Sequence, residues 1–179
     1  MTDRFMSLRR QYLSLGLGEL VSVVLFALVA VVSVAPRLPE SGQRALWWAL
    51  APLLVVLVQA GVYWLAARSW IGRTRMPAGF AAVYRVFPVL NPLLLAVALL
   101  GVVTSWPDQA PAGVLVAGVW LFGVAEHLNY FVVRLSYPLM GWFANVRRRR
   151  TPVLVRDLRR AAVRVEPGSR WMPPRGWSR

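Results

Sequence analysis

The chain has 179 residues, 58% of them hydrophobic and 16% charged, with a mean hydropathy of +0.52 and a net charge of +14. A soluble domain of this length has too little interior to bury several apolar runs of roughly 20 residues each, so the composition points to the bilayer. All 21 basic residues are arginine and cysteine is absent. That excludes lysine Schiff-base and P-loop chemistry, together with disulfides, thiolate catalysis and cysteine-ligated zinc.

The first apolar run, 14–35, follows a basic stretch holding Arg4, Arg9 and Arg10. It is long enough to span a membrane, and no clean small-residue cleavage site follows it, so it is expected to be a membrane helix and not a removed signal. Further apolar runs lie at 45–67, 83–106 and 112–133. Each covers a hydrocarbon core of about 30 Å. Backbone in lipid must satisfy its own hydrogen bonds, and the alternation of barrel strands is missing, so all four are expected to be helical. The expected fold is an all-α membrane protein. Residues 1–144 form a four-transmembrane-helix bundle, paired as hairpins one-two and three-four, and residues 145–179 form a basic cytoplasmic tail.

Arginine placement gives an expected orientation. Nineteen of the 21 arginines fall before the first run, between the second and third (counting Arg85 at the mouth of the third), or after the fourth, and only Arg37 and Arg44 fall on the other side. The positive-inside rule puts the arginine-rich side, with both termini, in the cytoplasm, which implies a multi-pass protein of the plasma membrane. Indole rings favour the interface, so Trp47, Trp48 and Trp106 are expected near the outer boundary and Trp70 and Trp142 near the inner one.

Each run carries polar residues at a similar depth in its cytoplasmic half: Glu19, then Gln59, then Asn91, then Glu126 with His127, Asn129, Tyr130 and Arg134. A carboxylate inside a span costs about 2–3 kcal/mol on insertion scales, so these groups should face the bundle interior and find partners. Glu126, Asn129, Tyr130 and Arg134 are spaced to share one helix face, whereas His127 is rotated by about 100° from Glu126. Two readings stand: interhelical polar contacts that hold the bundle together, or a functional polar cavity for a proton, an ion or a small head group. A metal site is disfavoured, because the spacing of H-E-x-x-H or E-x-x-H is missing. The run Phe87-Pro88-Val89-Leu90-Asn91-Pro92 frees the carbonyls of Tyr84 and Pro88, which marks either a kink or a broken helix whose freed carbonyl Asn91 could bond. Gly113, Ala117 and Ala125 repeat at multiples of four in the fourth run, as at a close helix–helix contact.

The tail opens on Arg147, Arg148, Arg149 and Arg150. Thr151-Pro152 then suits a helix start. Residues 152–165 place Leu154, Val155, Leu158, Ala161, Ala162 and Val165 at helical spacing, with Arg156, Arg159, Arg160 and Arg164 mostly elsewhere, as in an amphipathic helix lying on the inner membrane surface. Beyond Pro167-Gly168 the chain is rich in Pro, Gly, Arg and Trp and is expected to be extended or disordered until bound. Residues 145–179 carry eleven arginines against Asp157 and Glu166. Such a segment suits anionic inner-leaflet lipids, or an acidic protein partner. Nucleic acid is disfavoured because no nucleic-acid fold motif is present, and a homo-oligomer remains open.

No phosphate cradle, nucleophile elbow or paired metal motif is present, so the chain leans away from enzymes and no cofactor is expected. The leading expectation is a non-enzymatic accessory, scaffold or regulatory membrane component whose tail binds lipids or a partner. The alternatives are a small proton- or cation-coupled transporter using the polar cluster, and a membrane-embedded enzyme acting on a lipid or isoprenoid with Glu126 and His127 as acid and base.

Overall fold

A computed structural model describes residues 2–70, 75–132 and 152–162. Arg134, Trp142, Arg147 to Arg150 and Arg164 lie outside them. The described residues are helical apart from short connections, with no strand among them. Helix α1 is Thr2–Val29 and runs on through a π-helical turn, Ala30–Val34, and a 3-10 turn, Ala35–Arg37. Pro36 and the extended Leu38 end it, and α2, Glu40–Ala67, begins after Pro39. The Glu40 carboxylate in the first turn of α2 complements the helix dipole. Pro77 precedes α3, Ala78–Thr104, and Pro111 sits in the first turn of α4, Ala110–Phe131, where its missing N–H costs nothing. Helix α5 is Val153–Ala162. Helices α1 to α4 are each long and apolar enough to cross a membrane.

Two independent hairpins do not describe the bundle. Helix α2 sits at the centre and contacts α1, α3 and α4, while α3 and α4 touch one another less than either touches α2. The sequence of α2 explains this. Ala45, Ala49, Ala60 and Gly61 interrupt its larger residues on several faces, so three neighbours can approach, and Leu46, Leu50, Leu53, Val56 and Leu57 are buried between them. Helix α1 is the opposite case: Val21, Val24, Leu25, Leu28 and Val32 are exposed, as lipid-facing residues of a spanning helix would be.

Small residues set the α1–α2 crossing. A Cβ on Gly16 would lie 3.1 Å from the Gly61 carbonyl oxygen, and one on Gly61 would lie 3.2 Å from the Gly16 carbonyl oxygen, with Leu65 and Leu20 closer still. Reciprocal backbone approach of this kind requires glycine on both helices. The repeat expected in α4 is put to other use: Gly113 lies under the Trp106 ring, and Ala117 and Ala125 are half-buried.

Helix α3 is continuous through Pro88 and Pro92, and α2 is continuous through Pro52. The break considered from the sequence is absent, and Asn91 turns to a partner on α2 instead of a freed carbonyl. Neighbouring helices make such prolines tolerable within a span.

The apolar side of α5 faces the protein and not a membrane surface. Leu154 and Leu158 are buried in one cluster with Tyr63, Trp70, Met76, Ala81, Tyr84, Tyr130 and Phe131. Trp70, expected at the interface, is thereby a core residue, whereas Trp47, Trp48 and Trp106 are exposed. Aromatic contacts tie this end together: Phe80 stacks on Tyr84 at 4.5 Å, Tyr63 meets Trp64 at 5.2 Å and Tyr12 meets Trp64 at 4.9 Å. The Tyr63 hydroxyl donates to Asp157 Oδ2 at 2.9 Å, which fixes α5 to the bundle.

Candidate functional site

The polar residues that share a depth in the sequence separate into two groups in space. Gln59 and Asn91 form the first. Gln59 Nε2 donates to Asn91 Oδ1 at 3.1 Å, and Asn91 Nδ2 donates to Gln59 Oε1 at 2.7 Å. Both residues are buried, Asn91 completely. The Tyr84 hydroxyl adds a bond to the Gln59 carbonyl at 2.7 Å. Two amides facing one another satisfy a donor and an acceptor on each, so this group is closed and joins α2 to α3.

The second group is open. Glu19, Glu126, Asn129 and Tyr130 line a cavity of about 460 Å³ at the end of the bundle that carries α5. Gln11, Leu15 and Glu19 come from one stripe of α1, spaced by four residues, and Glu126, Asn129 and Tyr130 come from one face of α4. Trp64 of α2 forms part of the wall, and Pro152, Val153 and Leu154 at the start of α5 close it over.

The cavity exists because α1 and α4 do not approach closely along their backbones. They meet through long side chains. Phe26 and Phe122 contact edge-on at 5.9 Å toward the far end, and the Tyr130 hydroxyl donates to Glu19 Oε1 nearer the end that carries α5. Among the described residues each carboxylate has a neutral donor: Tyr130 for Glu19 and the Asn129 side chain for Glu126. The two carboxylates are near enough to interact electrostatically. The buried Trp64 indole N–H lies near the Tyr130 hydroxyl without a hydrogen bond of good geometry. An ionised carboxylate offers about four acceptor positions, so the described contacts leave both glutamates capacity for a further partner.

His127 is elsewhere. Its ring stacks on Phe131 at 5.3 Å and 22°, it is buried, and Nδ1 has no hydrogen-bond partner among the described residues. It is not among the described walls of the cavity. The rotation of about 100° between adjacent helical residues separates it from Glu126, so an acid–base pair made of these two has no common substrate position here. Among the described residues, no three His, Cys, Asp or Glu side chains are grouped as a metal would require.

Of the tail arginines, Arg156, Arg159 and Arg160 are exposed on α5, on the side away from Leu154 and Leu158. Gln11, Tyr63, Trp64 and Asp157 were not singled out from the sequence. Gln11 was within reach through its four-residue spacing to Leu15 and Glu19, while the Tyr63–Asp157 contact joins residues 94 positions apart and leaves no local signal. No family model matches the chain, and neither curated proteins nor solved structures include one similar to it.

Proposed function

We propose that this chain is a small cation-handling carrier of the plasma membrane, with both termini in the cytoplasm, whose binding step takes place between Glu19 and Glu126. The observation that carries this reading is the shared cavity: two carboxylates from α1 and α4 line one open space, whereas the other intramembrane polar pair, Gln59 and Asn91, is satisfied within itself. Interhelical bonding alone would leave no such space between the carboxylates, and ionisable groups inside a span mark ion and substrate paths. The cytoplasmic placement of the termini rests on the nineteen-to-two distribution of arginines.

The test is proton flux into liposomes that contain the purified protein and a pH-sensitive dye, under an imposed potential. Wild-type protein is expected to conduct or exchange protons. Glu126→Gln and Glu19→Gln should each lower the rate at least tenfold while the protein stays helical and monodisperse. Equal flux in all three proteins, or none above empty liposomes, rejects the carrier.

A second reading has its own support. The exposed Arg156, Arg159 and Arg160 on a docked helix, within a segment of eleven arginines, favour an accessory component that holds anionic lipid or an acidic partner. Because Leu154 and Leu158 belong to the core, truncation would damage the bundle, and charge removal is the cleaner probe. Arg156→Gln, Arg159→Gln and Arg160→Gln together should weaken binding to phosphatidylserine vesicles with flux unchanged.

A further inference from the structure

We infer that the cavity between α1 and α4 takes an organic ammonium, with its nitrogen between Glu19 and Glu126 and its hydrocarbon part against Trp64 and the first turn of α5. The inference rests on the carrier reading and names its cargo.

Charge comes first. None of the arginines whose side chains are described lines the cavity, while the carboxylates of Glu19 and Glu126 both do. A wall built this way disfavours anions and attracts cations, and the attraction is stronger away from bulk water. Size comes next. A bare ion does not fill about 460 Å³, and the described residues supply no three-ligand group for a metal. A cavity of this volume lies in the range that takes small organic molecules.

The rest of the wall decides between a hydrated inorganic ion and an organic cation. Leu15, Val153 and Leu154 are apolar, and Trp64 adds an aromatic ring. A hydrated ion would leave these surfaces wet. An ammonium carrying an aryl or alkyl group covers them and gains from their burial. The indole offers cation–π attraction to the same charge. Among the described residues, Glu19 accepts from the Tyr130 hydroxyl and Glu126 from the Asn129 amide, both neutral groups, so neither carboxylate is paired there with a cation of the protein's own. Each of these features alone is unselective. Together they describe a site for a positive nitrogen bonded to carbon.

Equilibrium dialysis of benzyltrimethylammonium against the purified full chain tests this, with neopentylbenzene as the neutral carbon isostere. Saturable binding of the ammonium is expected, with the isostere at least tenfold weaker. Glu126→Gln and Glu19→Gln should each weaken the ammonium at least tenfold, and Glu19→Asp, which keeps the charge, should lose less. Trp64→Leu should weaken it two- to fivefold, the size of an exposed-to-partly-buried cation–π contact. Equal binding of ammonium and isostere overturns the inference, since apolar fit alone would explain it. Glutamate-dependent proton flux without ammonium binding also overturns it and leaves the carrier standing. Absence of flux removes the carrier itself, and with it this inference, whether or not the ammonium binds.

Discussion

Asn91 and Glu126 have comparable depth in the sequence and opposite circumstances in the structure. Asn91 is fully buried and meets Gln59 in two reciprocal bonds, so its chemistry is complete. Glu126 meets one amide and faces a cavity. The difference makes a measurable contrast. Asn91→Leu strands the Gln59 amide in apolar surroundings, at a cost of about 1 kcal/mol or somewhat more. Adding Gln59→Leu removes the stranded group, so the double variant should recover most of that loss. Thermal unfolding in a mild detergent reads both, and a double variant as unstable as the two single losses combined would show that the amides are not coupled. Gly16 and Gly61 belong to this scale as well. Their opposed backbones admit no side chain, and this is visible only when both helices are in place.

Helix α5 changes meaning once its surroundings are known. By spacing alone it is an amphipathic helix suited to a lipid surface. In the structure its leucines complete the core, its first turn closes the cavity, and Asp157 accepts from the fully buried Tyr63. Release of α5 would take Val153 and Leu154 out of the cavity wall. Tyr63→Phe should weaken the dock by about 1–2 kcal/mol, the size of a hydrogen bond to a carboxylate, and so raise the open population about tenfold. Leu158→Ala, which leaves a core void, should raise it further. Trypsin provides the readout because the chain has no lysine and Arg156, Arg159 and Arg160 all lie in α5. Cleavage that follows local opening should accelerate in the same order, and unchanged cleavage in Tyr63→Phe would mean that the Asp157 bond does not hold the helix. Helix α3 illustrates the converse. Pro88 and Pro92 promised an interruption, and the helix nevertheless runs unbroken from Ala78 to Thr104, supported by its contact with α2.

At the scale of the molecule, the membrane arrangement yields a direct test, helped by the absence of cysteine. Glu40 opens α2 and Asp108 lies in the connection before α4, both at one end of the bundle, and Ser69 lies at the other end, with Thr2 and α5. Single-cysteine variants Glu40→Cys and Asp108→Cys should react with an impermeant maleimide on intact cells, and Ser69→Cys only after permeabilisation. The reverse pattern would place the termini outside and reject the arginine-based orientation. The central position of α2 also gives the bundle unequal joints. Helices α1 and α4 are each anchored on α2 and, among the described residues, meet each other through side-chain tips, so the space holding Glu19 and Glu126 lies at a joint with little backbone contact.

The four long apolar helices were readable from sequence because hydropathy over about 20 residues is a local property, and helix satisfies the backbone wherever such a run meets lipid. The presence of polar residues within those helices was readable for the same reason, as was the angular separation of His127 from Glu126. Partnership was not. Whether Gln59 meets Asn91 or Glu126, whether Leu154 faces lipid or Tyr63, and whether glycines on α1 and α2 oppose one another depend on helix rotation and crossing, which arise from contacts between residues as far apart as positions 63 and 157. A sequence gives each helix its faces. Only the assembled bundle decides which faces meet, because that choice is made by the sum of interhelical contacts and leaves no mark in any single stretch of chain.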